Sequence, residues 1–144
     1  MNLVRLAPVA LAAGLAASCG TGDPDAEIRE RLADAERAAE HRETGFFREV
    51  IAPGYHDTRG NDRDALWMQI RGFFLASSSV EVQMRIDDVD VDGDEAATVV
   101  LHLGLKGRRG GEALLEGADG ELRRVELELA RDDGDWRVVA ANWE

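Results

Sequence analysis

Residues 46–74 read FFREVIAPGYHDTRGNDRDALWMQIRGFF, and the order of apolar and turn-forming residues there constrains everything around it. Phe46, Phe47, Val50 and Ile51 are spaced to share one face of a short helix, and Pro53-Gly54 stops it. Farther on, Leu66, Trp67, Ile70, Phe73 and Phe74 recur at helical spacing. Asn61 is placed to cap this second helix, and Asp64 falls in its first turn, where a carboxylate meets unpaired N–H groups. The turn between the helices carries Tyr55, His56 and Asp57. Two apolar stripes need a partner surface, and the sequence supplies it downstream.

From Ser79 the period changes from helical to two. Val80, Val82, Met84 and Ile86 alternate with Glu81, Gln83, Arg85 and Asp87, as in a strand with one buried face. Asp87-Asp88 breaks the parity before Val89 and Val91, which predicts a bulge. Asp92-Gly93-Asp94 turns the chain into a segment with Ala97, Val99, Leu101, Leu103 and Leu105 on one side. Lys106 to Gly120 is a glycine-rich connection, read as a long hairpin loop with one helical turn around Ala113-Leu114-Leu115. Leu122 opens another strand, and Asp132-Asp133-Gly134-Asp135 leads into a last one, Trp136 to Trp143. Upstream, Asp23-Pro24 marks a helix start, and Ile28, Leu32, Ala35 and Ala39 predict an amphipathic helix to about Glu43. Helices followed by an antiparallel meander define an α+β domain with its helices on one sheet face.

Lys and Arg number 17 against 29 Asp and Glu, a net charge of −12 over 144 residues. Nucleic acid is thereby disfavoured, because binding it requires cations to neutralise phosphates. The same charge repels anionic lipid, so membrane attachment needs a device other than a basic patch. A single cysteine excludes an internal disulfide. The histidines lack metal-ligand spacing and the aspartates of 87–94 lack the closing glutamate of a calcium loop, so no metal and no cofactor is expected.

Met1 to Ser18 has a short charged start at Arg5, an Ala/Leu-rich run from Leu6 to Ala17 and small residues before Cys19, the signature of an export signal too short to span a bilayer. Leu15-Ala16-Ala17-Ser18-Cys19-Gly20 resembles the lipobox of bacterial lipoproteins, with its leucine one position early. That resemblance implies cleavage before Cys19 and acylation of the cysteine, hence a lipid-anchored envelope protein. With no aspartate after Cys19, the resemblance further implies, in an organism with an outer membrane, the periplasmic face of that membrane. The expected organisation is a signal over residues 1–18, a tether over 19–26 and one domain over 27–144.

The order of elements, the Tyr-His-Asp-x-x-Gly motif at Tyr55 to Gly60 and the closing Asp-Trp-Arg-Val-Val-Ala-Ala-Asn-Trp at 135–143 resemble the nuclear transport factor 2-like, or SnoaL-like, superfamily. The resemblance implies a cone in which a curved antiparallel sheet wraps three helices around a pocket, with homodimers formed through the outer sheet face. It also places Asp57 where isomerases and cyclases of that superfamily carry a carboxylate base. Tyr55 and His56 stand beside it, and Trp67, Phe74 and Leu101 are the expected pocket lining. The first helix has no tyrosine to stabilise an enolate, and the late strand offers only Val125 and Glu126, so half of such an apparatus is missing. Asp57 can equally serve as the acceptor of backbone N–H groups in the turn before Gly60. Two readings follow. One is a non-catalytic envelope lipoprotein whose cone binds a small apolar ligand or a protein partner. The other is a small-molecule isomerase, dehydratase or cyclase using Asp57.

Overall fold

The computed structural model describes residues 22–109 and 115–144. Cys19, the export signal and the Ala113-Leu114 part of the glycine-rich connection lie outside the described residues. Helix α1 (Pro24–Glu40) starts where the sequence provides a cap, with the Asp23 carboxylate accepting from Asp25 N at 3.2 Å and Pro24 opening the first turn. It ends before Glu43 because Arg42 takes a left-handed φ of 58°. The N–H groups of Arg42 and Glu43 then bond back to the carbonyls of Ala39 and Ala38, at 3.0 and 2.8 Å. Helix α2 (Thr44–Val50) ends at Val50, not Ile51.

Ile51 instead opens a strand, β1 (Ile51–Asp57), so Tyr55, His56 and Asp57 lie on extended backbone and not in a turn. Helical spacing in Phe46 to Ile51 concealed this change. Pro53 is tolerated because β1 is an edge strand and its pairing with β5 shifts register between Ile51 and His56. The turn follows β1, where Gly60, at φ 84°, donates to the Asp57 carbonyl at 3.1 Å. Helix α3 (Arg63–Ala76) is capped by Asp62, whose Oδ1 accepts from Ala65 N at 2.8 Å. Asn61, the expected cap, is engaged elsewhere.

Strands β2 (Val80–Asp92), β3 (Ala96–Gly107), β4 (Arg123–Asp132) and β5 (Asp135–Trp143) form an antiparallel meander in a sheet of order β1-β5-β4-β3-β2. Among the described strands, only β1 is parallel to its neighbour, β5. Inward pairs such as Met84 with Leu103 and Val89 with Val99 sit on either side of a register shift between Ile86 and Asp88, the bulge that the broken parity predicts. On the opposite face His102 Nδ1 meets Asp87 Oδ2 at 2.8 Å, with Arg85 alongside.

The core lies between the helices and the inner sheet face. Ile28, Val99 and Trp136 fill one end and are essentially inaccessible to water. There the Glu27 carboxylate accepts from Trp136 Nε1 at 3.1 Å and pairs with Arg131 at 2.8 Å, while the Arg131 guanidinium stacks on the indole 4.7 Å from its centroid. This ties the start of α1 to the β4–β5 hairpin. A second cluster gathers Ala39, Phe73, Phe74, Val80 and Ala118. Gly107 is required beside it, since a Cβ there would collide with Ser77 Oγ and the Phe73 ring.

Candidate functional site

Helix α1 presents small residues, Ala35 and Ala39, towards the sheet, and the strands opposite do not reach across. A cavity of about 200 Å³ remains, lined almost wholly by apolar side chains such as Leu101, Leu103, Leu127, Ile70 and Phe74. A cavity of about 150 Å³ holds benzene, so this one suits a body of one or two rings. At one end the lining becomes polar, where β1, the turn after it and α3 bring Tyr55, Asp57, Asn61 and Gln69 together.

Alternation along β1 turns Tyr55 and Asp57 towards the cavity and leaves His56 exposed outside it. Trp67 also does not line the cavity: its Nε1 donates to the Thr44 carbonyl at 3.2 Å and its ring lies under Arg48, on the side of α3 facing α2. Phe74 and Leu101 do line it. Of the six residues expected at the pocket, Tyr55, Asp57, Phe74 and Leu101 therefore come together, while His56 and Trp67 stay apart from them.

Asp57 is saturated with donors. Its Oδ1 accepts from the backbone N–H groups of Arg59 and Asn61, both at 2.9 Å, and its Oδ2 accepts from Tyr55 Oη at 2.9 Å and Asn61 Nδ2 at 3.0 Å. Burial pushes its carboxyl pKa up, but the bonds from Asn61, Tyr55 and Arg59 outweigh that and hold it below the ordinary aspartate value. Tyr55 is pushed up well beyond an ordinary phenol, first by burial and then by its bond to this carboxylate. At neutral pH the pair is thus a neutral phenol donating to an ionised aspartate. A general base is most effective with a pKa near the working pH and a lone pair open to substrate. Asp57 has neither.

Sequence reading missed Asn61 and Gln69 as site residues. Gln69 Nε2 donates to Asn61 Oδ1 at 2.7 Å, extending the network from β1 to α3. One signal was present: Gln69 is a polar residue set between Leu66 and Ile70 inside an otherwise apolar stripe. Also missed were Arg59, Glu116 and Arg123. The Arg59 guanidinium donates to the Glu116 carbonyl at 3.0 Å and stacks over Trp143 at 4.3 Å. Arg123 pairs with Asp119 at 2.5 Å and Glu121 at 3.7 Å. Among the described residues, no three metal-ligating side chains converge, and no helix is long and apolar enough to cross a membrane.

No family model and no curated protein sequence matches the chain. Solved structures do. An NTF-2 like protein of unknown function from Silicibacter pomeroyi superposes with a TM-score of 0.64 at 14% identity, over 83% of this chain and 93% of that one. The fold is NTF2-like. A putative scytalone dehydratase from Novosphingobium aromaticivorans is similar with a TM-score of 0.68 at 12% identity, covering 83% of this chain and 82% of that one. An NTF-2 like protein of unknown function from Shewanella oneidensis gives 0.63 at 16%, over 84% and 98%. At such identities the NTF2-like likeness is one of architecture, and function must be argued from the site itself.

Proposed function

We propose that this protein is a non-catalytic binding domain of the cell envelope whose cone holds a small apolar ligand, tethered to the membrane through acylated Cys19. The observation that carries the reading is the pairing of an apolar cavity with an aspartate whose oxygens are already occupied. Burying a ring or two against aliphatic walls is favourable at about 25 cal/mol per Å² of apolar surface, with no chemistry required. The isomerase reading needs Asp57 to surrender its donors and accept a proton from carbon, and its lowered pKa opposes that.

Naphthalene is a direct probe. Titrated against the protein and followed by the methyl NMR signals of Leu101 and Leu127, it should bind saturably and shift cavity methyls but not those of surface-exposed Leu75. Failure to shift them would remove the binding reading. Intact-mass analysis of the protein recovered from native membranes tests the tether. A chain beginning at Cys19 with added acyl mass supports it, and an unmodified soluble chain overturns it.

A further inference from the structure

Donors and acceptors around the cavity do not balance, and the imbalance names a class of ligand, an inference that rests on the binding reading above. Three polar atoms of lining residues are shut away from water without a hydrogen-bond partner among the described residues: Arg31 Nε, Arg123 Nε and Trp143 Nε1. All three are N–H groups that can only donate. No acceptor oxygen of the described lining is left in that state. Buried polar atoms without partners are rare in folded proteins, and a set of one kind marks what the site is missing.

Arg31 stands apart from the other two. The Arg123 guanidinium is paired with Asp119 and Glu121, whereas Arg31 has neither an ion pair nor a hydrogen bond among the described residues. Its guanidinium lies over the Phe46 ring, 4.9 Å from the centroid. Such a stack uses the flat face of the group and leaves its in-plane N–H fork unspent. Packing closes off Nε, but the two Nη groups at the tip stay reachable. Arg31 is also partly exposed while it lines the cavity, one turn of α1 before Ala35, whose small side chain leaves the space open. An uncommitted cation therefore stands at the rim of an apolar hole.

The carboxylates of the lining do not cancel it. Both Asp57 oxygens are occupied by donors, Glu116 is turned out with its side chain 75% exposed, and the Glu36 oxygens reach water. The net charge of −12 acts mostly from a distance, and salt at physiological strength screens exposed charges beyond about 8 Å. A planar guanidinium presents two parallel N–H groups to a carboxylate, a charge-assisted pairing about twice as strong as a neutral hydrogen bond.

We infer that the cavity takes an amphiphilic carboxylate, with one or two rings buried among the aliphatic walls and the anionic head held at the rim by Arg31. Arg31 is the specificity-determining residue.

Naphthalene, 2-naphthoate and 2-naphthylmethylammonium share one apolar body and differ in the charge of the head, and each is titrated against the whole protein by the Leu101 and Leu127 methyl shifts. A hydrogen bond to a charged group corresponds to about tenfold or more in affinity, so 2-naphthoate should bind at least about tenfold more tightly than naphthalene. The ammonium should bind more weakly than either. Added salt should weaken naphthoate and leave naphthalene unchanged. Arg31→Met keeps the apolar stem and removes the charge, so it should erase the advantage of naphthoate while leaving naphthalene affinity within about twofold. Arg31→Gln provides the same comparison if the methionine variant does not fold. An ammonium bound as tightly as naphthoate would overturn the inference, as would a naphthoate preference that survives the loss of Arg31. Naphthalene binding without any gain for naphthoate sinks the carboxylate rule alone. If none of the three probes moves a cavity methyl, the binding reading falls and takes this inference with it.

Discussion

At one end of the cone Ile28, Val99 and Trp136 fill the space between α1 and the sheet; at the other, Leu101, Leu127 and Ala141 from β3, β4 and β5 face a cavity. The strands are equally apolar at both ends, so the difference comes from what stands opposite them. Near its start α1 offers a full-sized isoleucine and is fixed to the β4–β5 hairpin by Glu27. About two to three turns later the same helix offers Ala35 and Ala39, and α3 contributes Gln69 to the lining. A pocket here is a matter of side-chain volume on the helices, with the sheet as a constant background.

The sharpest way to break this contrast is to empty the filled end. Trp136→Ala should cost about 3–5 kcal/mol by chemical denaturation, since it deletes a large buried side chain and leaves the Glu27–Arg131 pair without its cover. A loss below about 1 kcal/mol would mean that this end is no better packed than the other. Next comes enlargement at matched positions. Val99→Phe should destabilise by about 1–3 kcal/mol through overpacking, whereas Leu127→Phe, which grows into the cavity, should stay within about 1 kcal/mol of wild type. The second variant should also lose naphthalene binding. Equal costs at the two sites would erase the distinction.

The smallest effect concerns pH. Folding lowers the pKa of Asp57, so its contribution is complete above the ordinary aspartate range near pH 4 and is lost as pH falls through the folded-state value. Asp57→Asn should therefore flatten the acid side of the stability profile below about pH 4, read as the denaturation midpoint across a pH series. An unchanged acid profile would show that the carboxylate contributes nothing through its charge.

Much of the fold could be read from residue periods. The two-residue alternation in 80–105 and 123–143, the parity break at Asp87-Asp88 and the Asp23-Pro24 start each express a local rule that the structure follows. β1 escaped because its pairing is non-local: Ile51 to Asp57 contains proline and glycine and becomes a strand only beside β5. The cap of α3 was misplaced by one residue for a related reason. Asn61 and Asp62 are both good caps in isolation, and the choice fell to Asp62 because Asn61 bonds to Asp57 and Gln69. The amide relay could not be read from the sequence, since it joins two elements whose approach depends on that unseen strand.

The parallel pairing of β1 with β5 also sets an order of events in time. β1 has a single neighbour in the sheet, and that neighbour lies far along the chain. Until the 135–143 segment has been synthesised, the strand bearing Tyr55 and Asp57 has nothing to zip against, and the polar end of the cavity has no wall. Contacts between such distant segments slow folding. In a nascent chain that end of the cavity therefore stays unwalled until β5 is made.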